Sequence, residues 1–218
     1  MKLNEEIRQV LASYALPAGV VETMADAMAR LDANRVAPGI AVGERAPEFR
    51  LPNLRGDETS LGDLLAKGPV VLTFFRGEWC PVCNLQLAAL QRALPEIRKL
   101  GATLAAVSPQ FIDHAADLAR KHEIEFEILS DVTQSAIRDY RLQFLMPKEV
   151  REIYTGIFAL DISEQNGDGS WKLPVPGTFV LDGEGVVRVR HVTADFTRRM
   201  EPDDVVAALE SLQTTVSP

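Results

Sequence analysis

The sequence contains only two cysteines among its 218 residues, Cys80 and Cys83, and they lie three positions apart. A disulfide that closes so short a loop constrains the unfolded chain very little, which argues against a stabilising cross-link. A zinc site needs about four ligands, and the three histidines, His114, His122 and His191, form no cluster with the cysteines. We therefore predict no structural disulfide, no metal site and no cofactor.

Long apolar runs and an excess of basic residues are also absent. No stretch approaches the roughly 18 uninterrupted apolar residues that a membrane helix needs, and the acidic residues 1–6 do not resemble a secretory signal. With 23 basic and 31 acidic residues, the net charge of −8 disfavours nucleic acid. A thin basic group near the C-terminus is interpreted as facing solvent: Arg188, Arg190, Arg198 and Arg199. We expect a cytoplasmic protein that binds neither membranes nor nucleic acid.

Two amphipathic segments occupy the first 40 residues. Apolar side chains recur at helical spacing over 7–14 and over 20–31, with breaks at 16–19 and 35–39. Helices of this size are not stable alone, so they must pack on the rest of the chain or on a second subunit. We predict an N-terminal helical extension over residues 1–40, a docked hairpin that also offers a surface for a homodimer.

From residue 43 onward, short apolar runs alternate with helical patterns. The patterns predict strands at 69–75, 102–107, 126–129, 178–181 and 186–192, and helices at 82–100, 112–121 and 202–212. Residues 141–173 are poorly periodic, and their polar centre, 163–170, is expected to be a flexible loop. The order strand–helix–strand–helix–strand–strand–helix predicts an α/β thioredoxin-like fold, a central mixed sheet flanked by helices, over residues 43–212.

The cysteine pair lies where the strand at 69–75 passes into the next helix. Unpaired amides and partial positive charge at a helix N-terminus stabilise an anion, so a thiolate is favoured there and its pKa falls from about 8.5. Thiolates attack both disulfides and peroxides. Pro81, which has no amide hydrogen, suits the first helical turn. A redox-active dithiol of Cys80 and Cys83 explains this placement better than two core cysteines that are close by chance.

The motif and two further segments resemble a known family. Phe74–Cys83 (FFRGEWCPVC) resembles the active-site segment of thioredoxin-fold proteins. Gly43–Asn53 and Val175–Asp182 resemble the peroxiredoxin-like branch, the alkyl hydroperoxide reductase and thiol-specific antioxidant family, and the resemblance spans residues 43–212. It implies a cis peptide bond at Pro176, opposite the dithiol. It also implies that the two catalytic cysteines are supported by a set of neighbours, namely Trp79, Pro81, Arg76, Pro176 and Thr178.

The chain departs from the peroxidase pattern of that family. A peroxiredoxin has a proline seven residues, and a threonine or serine three residues, before its peroxidatic cysteine. Counting back from Cys83 finds Arg76 and Cys80 at these positions. Counting back from Cys80 finds Thr73 and Gly77. The groups that orient and polarise peroxide are therefore missing from their usual places.

Three functions remain open from the sequence. The first is a thiol–disulfide oxidoreductase in which Cys80, the more exposed thiol at the helix tip, attacks a protein disulfide and Cys83 resolves the mixed disulfide. The second is a thiol peroxidase that reduces hydrogen peroxide or alkyl hydroperoxides and is restored by a thioredoxin- or glutathione-type reductant. The third is a redox-inactive interaction module. In the first two, Arg76 lowers a thiolate pKa if it points inward, and has no such effect if it points to solvent.

Overall fold

Helices and strands alternate along most of the chain in the computed structural model, which describes residues 1–214. Within that range the chain forms nine helices and nine strands: α1 (Leu3–Ser13), α2 (Ala18–Ala33), β1 (Arg50–Pro52), β2 (Glu58–Ser60), α3 (Leu61–Leu65), β3 (Val70–Phe74), α4 (Pro81–Lys99), β4 (Thr103–Ser108), α5 (Ile112–Lys121), β5 (Glu127–Ser130), α6 (Ser135–Asp139), β6 (Gln143–Leu145), α7 (Lys148–Gly156), α8 (Ile162–Gln165), β7 (Lys172–Pro174), β8 (Gly177–Leu181), β9 (Val187–Val192) and α9 (Pro202–Thr214). Each strand predicted from an apolar run is present, and its ends lie within one residue of those predicted.

A five-stranded sheet in the order β5–β4–β3–β8–β9 forms the centre of the fold. β3, β4 and β5 are parallel, and β8 and β9 join the other side of β3 as an antiparallel hairpin. Every residue of β3 is buried, as expected of a strand covered on both faces. This is the strand order of a thioredoxin-like sheet, so the predicted α/β fold is confirmed.

The sheet has a hydrophobic core on each face because alternate residues of β3 point to opposite sides. Val71 contributes to a core built largely from α4, α5 and α9. Leu72 and Phe74 contribute to the other core, which is closed by α3, α6 and the segment around β1. The junction between β3 and α4 is therefore held by packing on both sides.

The N-terminal helices dock on the rest of the chain, each on a different helix. α1 packs on α4, where Ile7 is fully buried. α2 packs on α7, where Ala27 joins a small core with Val150 and Tyr154. The domain covers these apolar faces in part: Ile7 and Val20 are buried, whereas Tyr14 is 48% exposed and Met24 and Met28 line a groove.

The prediction of an irregular segment over 141–173 is wrong. This segment contains β6, α7, α8 and β7, and β6 pairs with β7. Val150, Ile153 and Tyr154 form a buried face of α7. The polar centre is ordered by side-chain hydrogen bonds, since the amide of Asn166 donates to the carbonyls of Ser170 and Lys172 at 2.7 Å each. These elements have only three to nine residues, too few for a sequence period to be evident.

The carboxylate of Glu201 holds the start of α1 against the body of the domain. It accepts hydrogen bonds from the amides of Leu3 and Asn4 at 2.8 and 3.0 Å. We expect Glu201→Ala to lower the free energy of unfolding by about 1 kcal/mol, measured by urea denaturation at pH 7. Glu5→Ala is the control, because Glu5 is exposed in the same helix; its effect should stay within about 0.5 kcal/mol.

The Glu201 effect should depend on pH. Burial raises the pKa of this carboxyl, but hydrogen bonds from Asn4 and Leu3 outweigh that and lower the pKa overall. A carboxyl with a lowered folded-state pKa contributes stability above its unfolded pKa and loses it as pH falls through the folded value. The difference in free energy of unfolding between Glu201→Ala and the parent should therefore shrink below about pH 4. An unchanged difference in acid would contradict this role.

Candidate active site

The two cysteines lie at the first turn of α4, directly after the loop that leaves β3. Cys80 is the N-cap and Pro81 is the first helical residue. The amide of Cys83 donates to the Sγ of Cys80 at 3.3 Å. Both cysteines have 0% exposed surface, so the expectation that Cys80 is the more exposed thiol is wrong. The reason is that both side chains point into the core beneath α4.

Arg76 points inward to the dithiol. Only 5% of its surface is exposed, and its Nη2 donates to the Sγ of Cys80 at 3.1 Å. Its Nη1 donates to the hydroxyl of Tyr154 at 3.3 Å. The guanidinium lies 4.1 Å from the ring centroid of Phe196 and 5.2 Å from that of Trp79. The sequence left open whether Arg76 points inward or to solvent. In the structure it points inward, and its guanidinium contacts the Cys80 sulfur.

Arg199 is a second buried cation at the dithiol, so its assignment to a solvent-facing basic group is wrong. It is 3% exposed, and its Nη2 lies 3.6 Å from the Sγ of Cys83. Its Nη1 donates to the carbonyls of Phe196 and Arg198. The segment between β9 and α9 has no regular period, so the sequence does not show which of its side chains points inward.

Gln86 fixes the orientation of Arg199. Its Oε1 accepts from Arg199 Nε at 2.7 Å. Its Nε2 donates to the hydroxyls of Thr73 and Thr178 at 3.1 and 3.2 Å, and these hydroxyls lie 3.0 Å apart. All four side chains are buried. Thr178, which the resemblance placed in the site, thus supports the arginine and has no hydrogen bond to a sulfur in the structure.

The surroundings of the sulfurs separate the two thiol pKa values. Burial raises both, but the hydrogen bond from Cys80 and the guanidiniums of Arg199 and Arg76 outweigh it at Cys83, whose pKa lies well below the usual value. Burial and the bond to Cys83 raise the pKa of Cys80 well above it. These opposite shifts, together with a guanidinium at each sulfur, favour a reduced pair in which Cys83 is ionised and Cys80 keeps its proton.

The other residues that the resemblance assigned to the site surround this centre. The ring of Trp79 packs edge-on against Tyr154 at 5.6 Å between centroids, and its Nε1 is buried without a hydrogen-bond partner. Pro176 precedes β8 and lines a small cavity with Arg76. The expectation of a cis bond at Pro176 is wrong, because no peptide bond among residues 1–214 is cis. Trans is the lower-energy isomer of an X–Pro bond.

A groove of about 960 Å³ adjoins the dithiol. Its walls come from α2, the end of α7 and the segment after β9, and side chains flanking the cysteines complete them: Arg76, Trp79, Pro81 and Val82. Most of the lining is apolar and includes Met24 and Met28 from α2 and Phe158, which follows α7. The N-terminal extension therefore forms part of the surface next to the reactive centre.

Within residues 1–214, none of the three histidines forms a hydrogen bond with a cysteine sulfur. His114 Nδ1 is 3.7 Å from Glu78 Oε1, His122 ends α5, and His191 pairs with Thr178 across β8 and β9. Throughout residues 1–214, no three His, Cys, Asp or Glu side chains are arranged to hold a metal ion. In the same range, no helix is long and apolar enough to cross a membrane.

Sequence reasoning missed three residues of the site: Tyr154, Gln86 and Arg199. Gln86 left a usable signal, since it lies three residues after Cys83 on the otherwise apolar buried face of α4. Tyr154 belongs to the buried face of α7, which is too short to be recognised with certainty from its period. Arg199 left no signal, because it stands among other arginines in an irregular segment.

Comparisons with known proteins find relatives at low identity. The chain is 24% identical over 184 residues to the 1-Cys peroxiredoxin PER1 of Hordeum vulgare, and this match covers 81% of this chain and 75% of that protein. It is 30% identical over 137 residues to the thiol-disulfide oxidoreductase ResA of Geobacillus kaustophilus, and this match covers 58% of this chain and 76% of that protein. The crystal structure of peroxidoxin BcpB from Mycobacterium tuberculosis has a TM-score of 0.62 at 20% identity, over 79% of this chain and 98% of that one.

The structural match at this identity shows the thioredoxin-like fold alone. The relatives are both peroxiredoxins and thiol–disulfide oxidoreductases, at low identity. A family model described as AhpC/TSA matches residues 42–190, which is more than half of the chain and includes both cysteines. The chain therefore belongs to the AhpC/TSA family.

Proposed function

We propose that the protein is a thiol-dependent oxidoreductase whose cycle interconverts a Cys80–Cys83 dithiol and disulfide. The observation that carries this proposal is the pair itself: two cysteines joined by the 3.3 Å hydrogen bond from the Cys83 amide to the Cys80 sulfur, with a buried arginine at each sulfur. A core cysteine pair without redox chemistry needs no cation, and burying two guanidiniums costs several kcal/mol each unless they are compensated. The interaction-module hypothesis leaves this arrangement without a purpose.

The first steps follow from the distribution of charge. Cys83, as the thiolate, attacks the oxidant, and Cys80 retains a proton. With a hydroperoxide, the O–O bond breaks, Cys83 becomes a sulfenic acid, and the alkoxide leaves as the alcohol after it takes up a proton from solvent. Cys80 then attacks the Cys83 sulfur, which releases water and forms the disulfide. Two equivalents of an external thiol return the pair to the dithiol.

Complete burial of both sulfurs favours a small hydroperoxide over a protein disulfide as the oxidant. A protein disulfide must bring its backbone to the attacking sulfur, whereas neither sulfur has exposed surface. The rings of Trp79 and Phe196 pack on Arg76 beside the dithiol and add to the barrier for a large substrate. A hydroperoxide group needs a far smaller opening. This is the second candidate function, a thiol peroxidase within the same disulfide cycle.

Two assays run side by side separate the candidates. One follows NADPH consumption with a hydroperoxide and either glutathione and glutathione reductase or thioredoxin and thioredoxin reductase, and the other follows insulin reduction. We expect peroxide-dependent NADPH consumption above that of the Cys80→Ser/Cys83→Ser control, with little insulin reduction. Insulin reduction without peroxide turnover would rule out the peroxidase. Inactivity in both assays, with no Cys80–Cys83 disulfide by mass spectrometry, would rule out the dithiol cycle as well.

A further inference from the structure

Two guanidiniums are buried at the dithiol without a carboxylate partner. Arg76 and Arg199 are 5% and 3% exposed. The arginines that form ion pairs within residues 1–214 are others, all of them on the surface. Charges buried in this way are costly unless an opposite charge or complete hydrogen bonding compensates them.

The sulfurs supply the negative charge that these cations lack. Apart from a sulfur, Arg76 contacts two aromatic rings and the hydroxyl of Tyr154, and burial raises the pKa of that hydroxyl, so it stays neutral. Besides a sulfur, Arg199 contacts an amide oxygen and two backbone carbonyls. Among residues 1–214, the thiols are thus the only groups in direct contact with the two arginines that can carry a full negative charge at neutral pH.

Oxidation removes this negative charge. The reduced pair contains one thiol and one thiolate, and it becomes a disulfide by losing two electrons and one proton. Both arginines stay charged, because a guanidinium does not deprotonate in proteins. In the disulfide form, two buried cations face a neutral S–S bond. The electrostatic energy of the site therefore favours the reduced form over the disulfide.

We infer that Arg76 and Arg199 make Cys80–Cys83 an oxidising couple, whose disulfide is readily reduced by a low-molecular-weight monothiol of the glutathione type. This inference rests on the proposed dithiol cycle and identifies its reductant class. Stabilisation of the reduced form is what makes a dithiol couple a strong oxidant. Two monothiols are oxidised to one disulfide as Cys80–Cys83 gains two electrons, so the exchange balances without a further reactant.

Redox equilibration of the purified protein tests the inference. Reduced and oxidised fractions are measured by alkylation and mass spectrometry in buffers of defined glutathione ratio. Arg76→Met and Arg199→Met should each shift the equilibrium at least about tenfold towards the disulfide, which corresponds to about 30 mV. Arg190→Met is the matched control, since Arg190 is also held by its surroundings but donates to the carbonyls of Pro38 and Ile40. Its equilibrium should equal that of the parent.

The pH dependence of the equilibrium gives a second readout that requires no variant. Once the measured equilibrium is converted to a reduction potential with the known pH dependence of the glutathione couple, a couple that takes up one proton with two electrons changes by about 30 mV per pH unit. A couple with two neutral thiols takes up two protons, and its slope is twice as steep. The charged or titratable groups facing the pair are Arg76, Arg199 and Tyr154, and His191 lies near Arg199. The parent should show the one-proton slope around pH 8, above the range in which His191 titrates.

The outcomes separate this inference from the proposed function. If a disulfide forms but both methionine variants match the parent and Arg190→Met, the inference is overturned while the dithiol cycle stands. If no disulfide forms even with excess hydroperoxide, the proposed function fails first. Should the methionine variants fail to fold, the inference is decided by the slope of the parent's reduction potential against pH. Arg76→Lys and Arg199→Lys keep the positive charge and should stay close to the equilibrium of the parent. A two-proton slope at pH 8 overturns the inference.

Discussion

Replacing Cys83 with serine is expected to abolish the disulfide and to slow the first oxidation step. Cys83 is the thiol whose pKa is held low by Cys80, Arg199 and Arg76, so it carries the negative charge of the pair. Removing Cys83 also removes two causes that raise the pKa of Cys80, the hydrogen bond and the charge of Cys83, and leaves Arg76 3.1 Å from the Cys80 sulfur. With Cys83→Ser, we therefore expect no disulfide and slower formation of sulfenic acid than in Cys80→Ser after one equivalent of hydroperoxide, measured by dimedone trapping and mass spectrometry.

The matched variant is Cys80→Ser, which removes the partner but leaves Arg199 beside Cys83. It should retain the first step and accumulate a trapped sulfenic acid at Cys83, because no second thiol remains to close the disulfide. Neither single variant should turn over in the coupled assay. The reverse pattern, with trapping at Cys80 in Cys83→Ser and none in Cys80→Ser, would contradict the assignment and favour the order predicted from sequence.

Replacing Gly77 with alanine is expected to destabilise the loop that carries the dithiol. Gly77 has φ +149°, and a Cβ there would lie 2.5 Å from Trp79 Nε1 and 2.7 Å from the side-chain carbonyl of Gln110. Gln110 cannot move freely, because it is fully buried and its Oε1 accepts the amide of Glu78 at 2.6 Å. We expect the free energy of unfolding to fall by about 3 kcal/mol from strain and overpacking together.

Urea denaturation measures this loss, and the rate of thiol alkylation measures the displacement of the loop. Once Trp79 is displaced, the buried thiols should react faster with a small alkylating reagent. Gly183→Ala is the control, because Gly183 is an exposed turn residue with nothing within 4 Å of its Cβ position. It should change stability by no more than about 0.5 kcal/mol. A Gly77→Ala protein as stable as this control would show that the loop adapts.

The sequence predicted those parts of the fold that have a strong local pattern. β3 and β4 are continuous apolar runs, and α4 has an apolar face over five turns, so each was found with its ends nearly correct. The dithiol was found for the same reason, since its two cysteines are close in the chain and lie at a strand–helix junction. The short elements β6 and α7 were missed, because three or nine residues do not establish a period.

The orientation of single polar side chains could not be predicted. Arg199 and Arg190 lie in the same basic stretch, yet one is buried at Cys83 and the other binds carbonyls near residue 40. Their different surroundings follow from their places in the fold: Arg190 lies in β9, which pairs with β8, and Arg199 lies in the segment that leads into α9. The exposure of Cys80 was predicted wrongly for a related reason, because a position at a helix tip does not show what packs over it.

By itself, the sequence determined the thioredoxin-like order of strands and the position of two cysteines at the start of α4. These follow from local patterns of apolar residues and from helix geometry, which act over a few neighbouring residues. Only the tertiary structure decided that the thiols are fully buried and that Arg76 and Arg199 both reach them. Those features arise where segments more than a hundred residues apart meet at Cys83, and the electrostatics of a buried charge depends on all the groups around it.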